Sequence, residues 1–147
     1  MVIKFEKWHG NGNDFVILNT IDNRVKITKN FIKKISNRNK GIGFDQLIIA
    51  ELPTKDNHDF FVRFFNADGS EAQMCINGLR CAASYIWKNN FAPLRQITFM
   101  TKKNIIKSNP INLSGVSMYM NKPEEIKDKI IANSLKKILK TPFKIFN

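Results

Sequence analysis

Asn66-Ala67-Asp68-Gly69-Ser70-Glu71-Ala72-Gln73-Met74-Cys75-Ile76-Asn77-Gly78-Leu79-Arg80-Cys81 is the densest polar stretch of the chain, and its two flanks decide the fold. Before it, Phe60–Phe65 reads as an aromatic-rich strand that ends in the turn formers Asn66 to Ser70. After it, Leu79, Ala82, Ala83, Ile86 and Trp87 recur at helical spacing, so about Asn77 to Asn90 reads as a helix lying deep in a core. A polar segment between a buried strand and a buried helix is where ligand sites often form. Cys75 falls at or just before the helix N-terminus, where unpaired N–H groups and the positive end of the dipole favour a thiolate or a bound carboxylate. Without further information the same residue also reads as a small buried hydrophobe. Cys81, six positions on and inside the apolar face, reads as packing.

Working outward, Ile3–Trp8 alternates like a half-buried strand, breaks at His9 to Asp14, and resumes at Phe15–Leu18. Ile27–Ile35 reads as an amphipathic helix. Gly41 to Gly43 interrupts the chain before a short strand at Gln46–Ala50, and Gln96–Met100 and Val116–Met120 read as further strands. Glu124–Lys140 carries Ile126, Ile130, Ile131, Leu135, Ile138 and Leu139 on one stripe with lysines opposite, the pattern of an amphipathic helix with a solvated face. Such a stripe can also rest on a membrane. The class is α+β.

Composition removes several alternatives. The chain has 147 residues, of which 43% are hydrophobic, and is globular rather than disordered. The net charge of +12 invites a nucleic-acid reading, but the lysines are scattered and the arginines few, so no phosphate-reading face is expected. No apolar run approaches the roughly 20 residues that cross a bilayer, and acidic residues interrupt the N-terminal segment, so a cytoplasmic location is expected. The two cysteines and two histidines show no metal-ligand spacing.

Four motifs then carry a resemblance. His9-Gly10-Asn11-Gly12-Asn13-Asp14-Phe15 matches H-G-x-G-N-D-F, and Gly41-Ile42-Gly43-Phe44-Asp45-Gln46 matches G-x-G-F-D-Q. Phe65 to Glu71 matches F-N-A-D-G-S-E, and Cys75 to Cys81 matches C-G-N-G-x-R-C with one exception. In this order and spacing they resemble the N-terminal half of diaminopimelate epimerases.

The resemblance implies a curved mixed sheet wrapped around a central helix, one of two pseudo-symmetric domains with the active site between them. It implies interconversion of LL- and meso-diaminopimelate, on the route to lysine, by two thiols without pyridoxal phosphate, metal or other cofactor. Cys75 matches the N-terminal catalytic thiol. Asn13, Gln46, Asn66, Ile76 and Asn77 match substrate-binding positions, although Asn13 and Asn66 also suit plain turn roles.

Ile76 stands where the family has glycine, and a β-branched side chain resists positive φ and close approach. Residues 1–123 are expected to form the epimerase-like domain and 124–147 an unmatched tail, with the family's C-terminal domain and its second thiol absent. The expectation is therefore a truncated or degenerate copy. It would be inactive unless a complementing C-terminal half is supplied, with self-association as a homodimer or a non-catalytic remnant as the other outcomes.

Overall fold

A computed structural model describes residues 3–21, 26–111 and 115–120. The expected tail helix in 124–147 lies outside the described residues.

The strands are β1 (Glu6–Gly10), β2 (Asn13–Asn19), β3 (Gln46–Glu51), β4 (Phe60–Asn66), β5 (Glu71–Ala72), β6 (Ile97–Met100), β7 (Ile105–Pro110) and β8 (Val116–Tyr119). Two helices accompany them, α1 (Lys29–Ser36) and α2 (Ile76–Lys88). One mixed sheet runs β1-β2-β3-β4-β6-β7-β8, with β5 added beside β4; the β2–β3 and β4–β6 pairs are parallel and the others antiparallel. Helix α2 packs against both edge strands, β1 and β8, so the sheet must curl around it. This is the curved sheet and central helix that the resemblance implied.

The strand sequences explain the two layers. Residues two apart share a face, and Phe15, Ile17, Ile48, Phe60, Val62 and Phe64 are buried with Leu79, Ala82, Ala83 and Ile86 of α2. The intervening Val16, Leu18, Leu47, Ile49 and Phe65 form a second cluster with Ile32 and Phe44 under α1. Strands β2 and β3 are therefore buried on both faces, which is why they read as continuous apolar runs.

Local chemistry sets the boundaries. Asn11 and Gly12 have φ of 50° and 86°. These are the paired positive values of a two-residue hairpin turn whose twist matches its strands. The turn is tighter than the polar run suggested, so His9 and Gly10 belong to β1. Helix α1 begins after Thr28, whose side chain accepts a hydrogen bond from the Phe31 N–H at 3.2 Å. Ile27, read as helical, lies outside it yet packs in the same cluster as Ile32, an apolar clasp across the cap.

Two strands were not read from the sequence. The side chains of β7 alternate between exposed and buried over Ile105–Ser108, but its buried polar Ser108 and its terminal Pro110 disguise the pattern. β5 has two residues, too few for any periodicity.

Candidate active site

The α2 face of the sheet carries Phe15, Ile48 and Phe64. Strand alternation puts Asn13, Gln46 and Asn66 on that same face, at adjoining ends of β2, β3 and β4. Register makes Gln46 and Asn66 direct partners and sets Phe15 on the other side of Gln46, with Asn13 two residues before it on the same strand face. Gln46 Nε2 donates to Asn66 Oδ1 at 2.9 Å, and Asn66 Nδ2 donates to Ser70 Oγ at 3.0 Å. Both ends of the Asn66 amide are thus engaged, the oxygen by Gln46 on the neighbouring strand and the nitrogen by Ser70 in its own turn. Gln46 Oε1 is buried with no hydrogen-bond partner. A buried acceptor left unpaired is costly, and such groups mark places where a missing donor belongs.

Helix α2 delivers the rest. Cys75 is its N-cap, in extended conformation, and its Sγ accepts from the Gly78 N–H at 3.4 Å. The sulfur takes the position where serine or threonine ordinarily caps a helix. The N–H groups of Ile76 and Asn77, first in the helix, have no acceptor within it. The Asn77 side chain is held from two sides: its Nδ2 donates to Asn13 Oδ1 at 3.3 Å, and its Oδ1 accepts from Asn11 Nδ2 at 3.1 Å. Asn11, which the motif reading passed over, thus belongs to the network. Its signal was its place beside Gly12 in a turn that needs positive φ, a conformation asparagine tolerates.

Gly78 explains how closely the helix approaches. A Cβ there would meet Phe64 Cε1 at 2.8 Å and Ile48 Cδ1 at 3.1 Å. Ile76 is not strained: positive φ among the described non-glycine residues occurs at Asn11 and Asn90 alone. The positive φ that made isoleucine suspect at this position is not adopted here.

Behind the site, on the α1 face, lies a charged clasp. Arg38 donates to both carboxylate oxygens of Asp14, at 2.9 and 2.7 Å, and to Asp45 at 2.9 Å. Lys7 adds an ion pair to Asp14 at 3.2 Å. The Arg38 guanidinium holds the Asp14 carboxyl well below the usual carboxylate range, Lys7 adds to this, and partial burial opposes both. Since Asp14 follows Asn13 and Asp45 precedes Gln46, the clasp fixes the strand ends that carry the polar groups. Sequence reading missed it, because Arg38 sits in no matched motif.

Cys81 is buried in the α2 core, as read from the sequence. Burial pushes its thiol up to about 11, reinforced by the neighbouring charge of Cys75 and partly offset by Arg80. His58 is also buried, hydrogen-bonded with Thr54 and Asn57. Among the described residues no cluster of His, Cys, Asp or Glu has the makings of a metal site, and no helix is long and apolar enough to cross a membrane. Beside the site, a cleft of about 230 Å³ opens between β1 and β8, with His9, Asn11, Asn77, Arg80 and Ser84 in its walls. It shares Asn11 and Asn77 with the polar network but does not include Cys75.

The curled sheet around a central helix places the chain in a fold class shared with solved proteins of other names. A methylitaconate-delta-isomerase superposes with a TM-score of 0.60 at 14% identity, covering 78% of this chain and 62% of that one. A Bacillus anthracis phenazine biosynthesis protein of the PhzF family gives 0.56 at 18% identity, over 81% and 39%. At these identities the likeness concerns the fold alone. The sequence narrows the class: the diaminopimelate epimerase family model matches residues 5–125, and the chain belongs to that family. A diaminopimelate epimerase of Psychrobacter sp. (strain PRwf-1) is 39% identical over 123 residues, covering 84% of this chain and 42% of the relative. One from Acinetobacter baylyi is 43% identical over 107 residues, 73% of this chain and 38% of the relative. The chain therefore spans about two fifths of the length of these relatives.

Proposed function

We propose that this chain supplies the N-terminal half of a cytoplasmic diaminopimelate epimerase, with Cys75 as one of two proton-handling thiols. The supporting observation is that Cys75 caps α2 beside first-turn N–H groups, next to a polar array with an unpaired acceptor at Gln46 Oε1. A substrate carboxylate matches the N–H groups of Ile76 and Asn77. A substrate ammonium is the kind of donor that Gln46 Oε1 lacks. Asn13 and Asn77 orient polar groups at fixed charge, since amides do not titrate. Asn66 acts through Gln46, whose amide it holds.

Inversion at the α-carbon breaks one C–H bond and forms another on the opposite face. A thiolate takes the proton from one side while a thiol gives one from the other; the two exchange roles with direction, and no oxidant or reductant is consumed. Cys75 supplies one such group. Cys81 is buried within the same helix and held neutral, so it does not supply the other. The opposing thiol belongs to a complementing C-terminal half, and the chain alone is inactive. The rival reading, a non-catalytic remnant, draws on Ile76 in the place of the family's glycine.

The test is incubation with LL-diaminopimelate in deuterated water, with and without the C-terminal half of the Psychrobacter relative. No deuterium should enter the α-position with the chain alone, and exchange with inversion should appear when the half is added. Turnover by the chain alone would refute the need for a second half. No turnover with the half present leaves the remnant reading standing.

A further inference from the structure

The residues of α2 that escape burial are Ile76, Asn77, Arg80, Ser84, Trp87 and Lys88, which recur at three and four positions and so form one stripe. The first half of that stripe lies in the opening between the edge strands β1 and β8. There Asn77, Arg80 and Ser84 wall the polar cleft of about 230 Å³, opposite His9. On the other side Ile76 and Arg80 wall an apolar groove of about 370 Å³ with Ile111, Met118 and Met120. Arg80 stands between the two.

Its charge is unanswered. Arg38, Arg63 and Arg95 each pair with a carboxylate. Arg80 is exposed and makes no ion pair or hydrogen bond among the described residues, and neither opening has an Asp or Glu in its walls. Around it the apolar side chains face solvent, Ile111 at 65% and Met120 at 48% exposure. Arginine and methionine together, with acidic residues excluded, is the composition that the buried centre of a protein interface favours.

Position and charge together name the occupant. Asn77 belongs both to this cleft and to the polar network beside Cys75, so whatever docks here sits against the helix end that carries the thiol. A small anion would answer the guanidinium but leave the groove open. A second copy of this chain, at net charge +12, would bring repulsion. We propose that Arg80 is the anchor for the complementing C-terminal half: an Asp or Glu of that half takes the guanidinium between β1 and β8, while apolar side chains of the same half cover Ile76, Ile111 and Met118. A planar guanidinium grips a carboxylate at two points, which fixes orientation as well as contact. Arg80 is then a positioning residue, setting where the opposing thiol stands relative to Cys75. The inference rests on the reading of this chain as one half of an epimerase, and adds what holds the halves in register.

The test co-produces the chain with the C-terminal half of the Psychrobacter relative. Arg80→Lys should keep the complex and place an amine where a carbodiimide can couple it to a carboxylate in contact. Peptide mass spectrometry should then find position 80 linked to an Asp or Glu of the half, a link that the unsubstituted chain, with its unreactive guanidinium, does not give. Arg80→Glu should weaken binding of the half by about tenfold or more at low salt. The same charge change at Lys55→Glu, in the exposed loop at the far end of β3 and β4, should alter it by less than about twofold. Should Arg80→Glu fail to fold, the link from the Arg80→Lys chain decides alone. A complex that forms and inverts substrate, yet shows no link from position 80 to the half, would overturn this inference and leave the epimerase reading intact. A link from position 80 to a carboxylate of its own chain, or equal binding by Arg80→Glu, would overturn it likewise. If the unsubstituted chain and the half form no complex at all, the two-half reading falls and this inference with it.

Discussion

Cys75 and Cys81 lie six positions apart in one motif, yet their surroundings make them different chemical objects. Cys75 is half-buried at a helix N-terminus with its sulfur accepting from Gly78; Cys81 is packed in the core with its thiol pushed up to about 11. Alkylation requires an accessible thiolate. Iodoacetamide at pH 8 is therefore expected to give a single adduct, at Cys75, well before any at Cys81, as read by peptide mass spectrometry. Equal rates at the two positions would contradict the burial described. Asn66 shows the opposite relation between motif and surroundings. Its amide is consumed by Gln46 and Ser70, and it holds the glutamine side chain in place.

At the scale of elements, the site depends on how close α2 comes to β3 and β4. Gly78 permits that approach, since a methyl there would press on Phe64 and Ile48. In a solvent-exposed helix, glycine to alanine ordinarily stabilises by roughly 0.5–1 kcal/mol. Here overpacking outweighs propensity, and Gly78→Ala is expected to destabilise by about 1–3 kcal/mol in chemical denaturation. A gain in stability would mean that the sheet yields easily and that the glycine has another purpose. On the opposite face, Arg38 ties the start of β2 to the start of β3 through Asp14 and Asp45. The same strand ends present Asn13 and Gln46 inward, so the clasp and the polar array are two faces of one structure.

For the molecule as a whole, hydrogen-bonded and ion-paired carboxylates shape the acid limit of stability. Hydrogen bonding lowers the carboxyls of Asp14 (from Arg38), Asp68 (from Ser70) and Glu71 (from Arg63). A carboxyl lowered in the folded state takes up its proton more readily when unfolded. The stabilisation is therefore present above the ordinary carboxylate range near 4 and is lost as pH falls through the lowered values. Melting temperature should hold steady from about pH 6 to 8 and drop below about 4. Arg38→Ala should lower the neutral-pH plateau and make the acid drop shallower, most clearly at low salt, where exposed pairs are least screened. An unchanged acid profile in that variant would show that Asp14 is not held by Arg38 in solution.

The sequence by itself determined the class, the main elements and the family. Hydrophobic period distinguishes strand from helix locally, and four motifs in order leave little freedom for another fold. It also marked Cys75, because a thiol just ahead of a buried helix has few bland explanations once its neighbours match. Tertiary structure alone decided which polar residues meet: Asn77 with Asn13 and Asn11 across more than sixty positions, Gln46 with Asn66 across a strand pair. It alone revealed Arg38 and β7, whose stabilising partners are distant in sequence or whose pattern is disguised by polar residues. The division has a physical cause. Periodicity and capping are written in neighbouring residues, whereas hydrogen-bond networks depend on strand register and on the packing of a helix against a sheet.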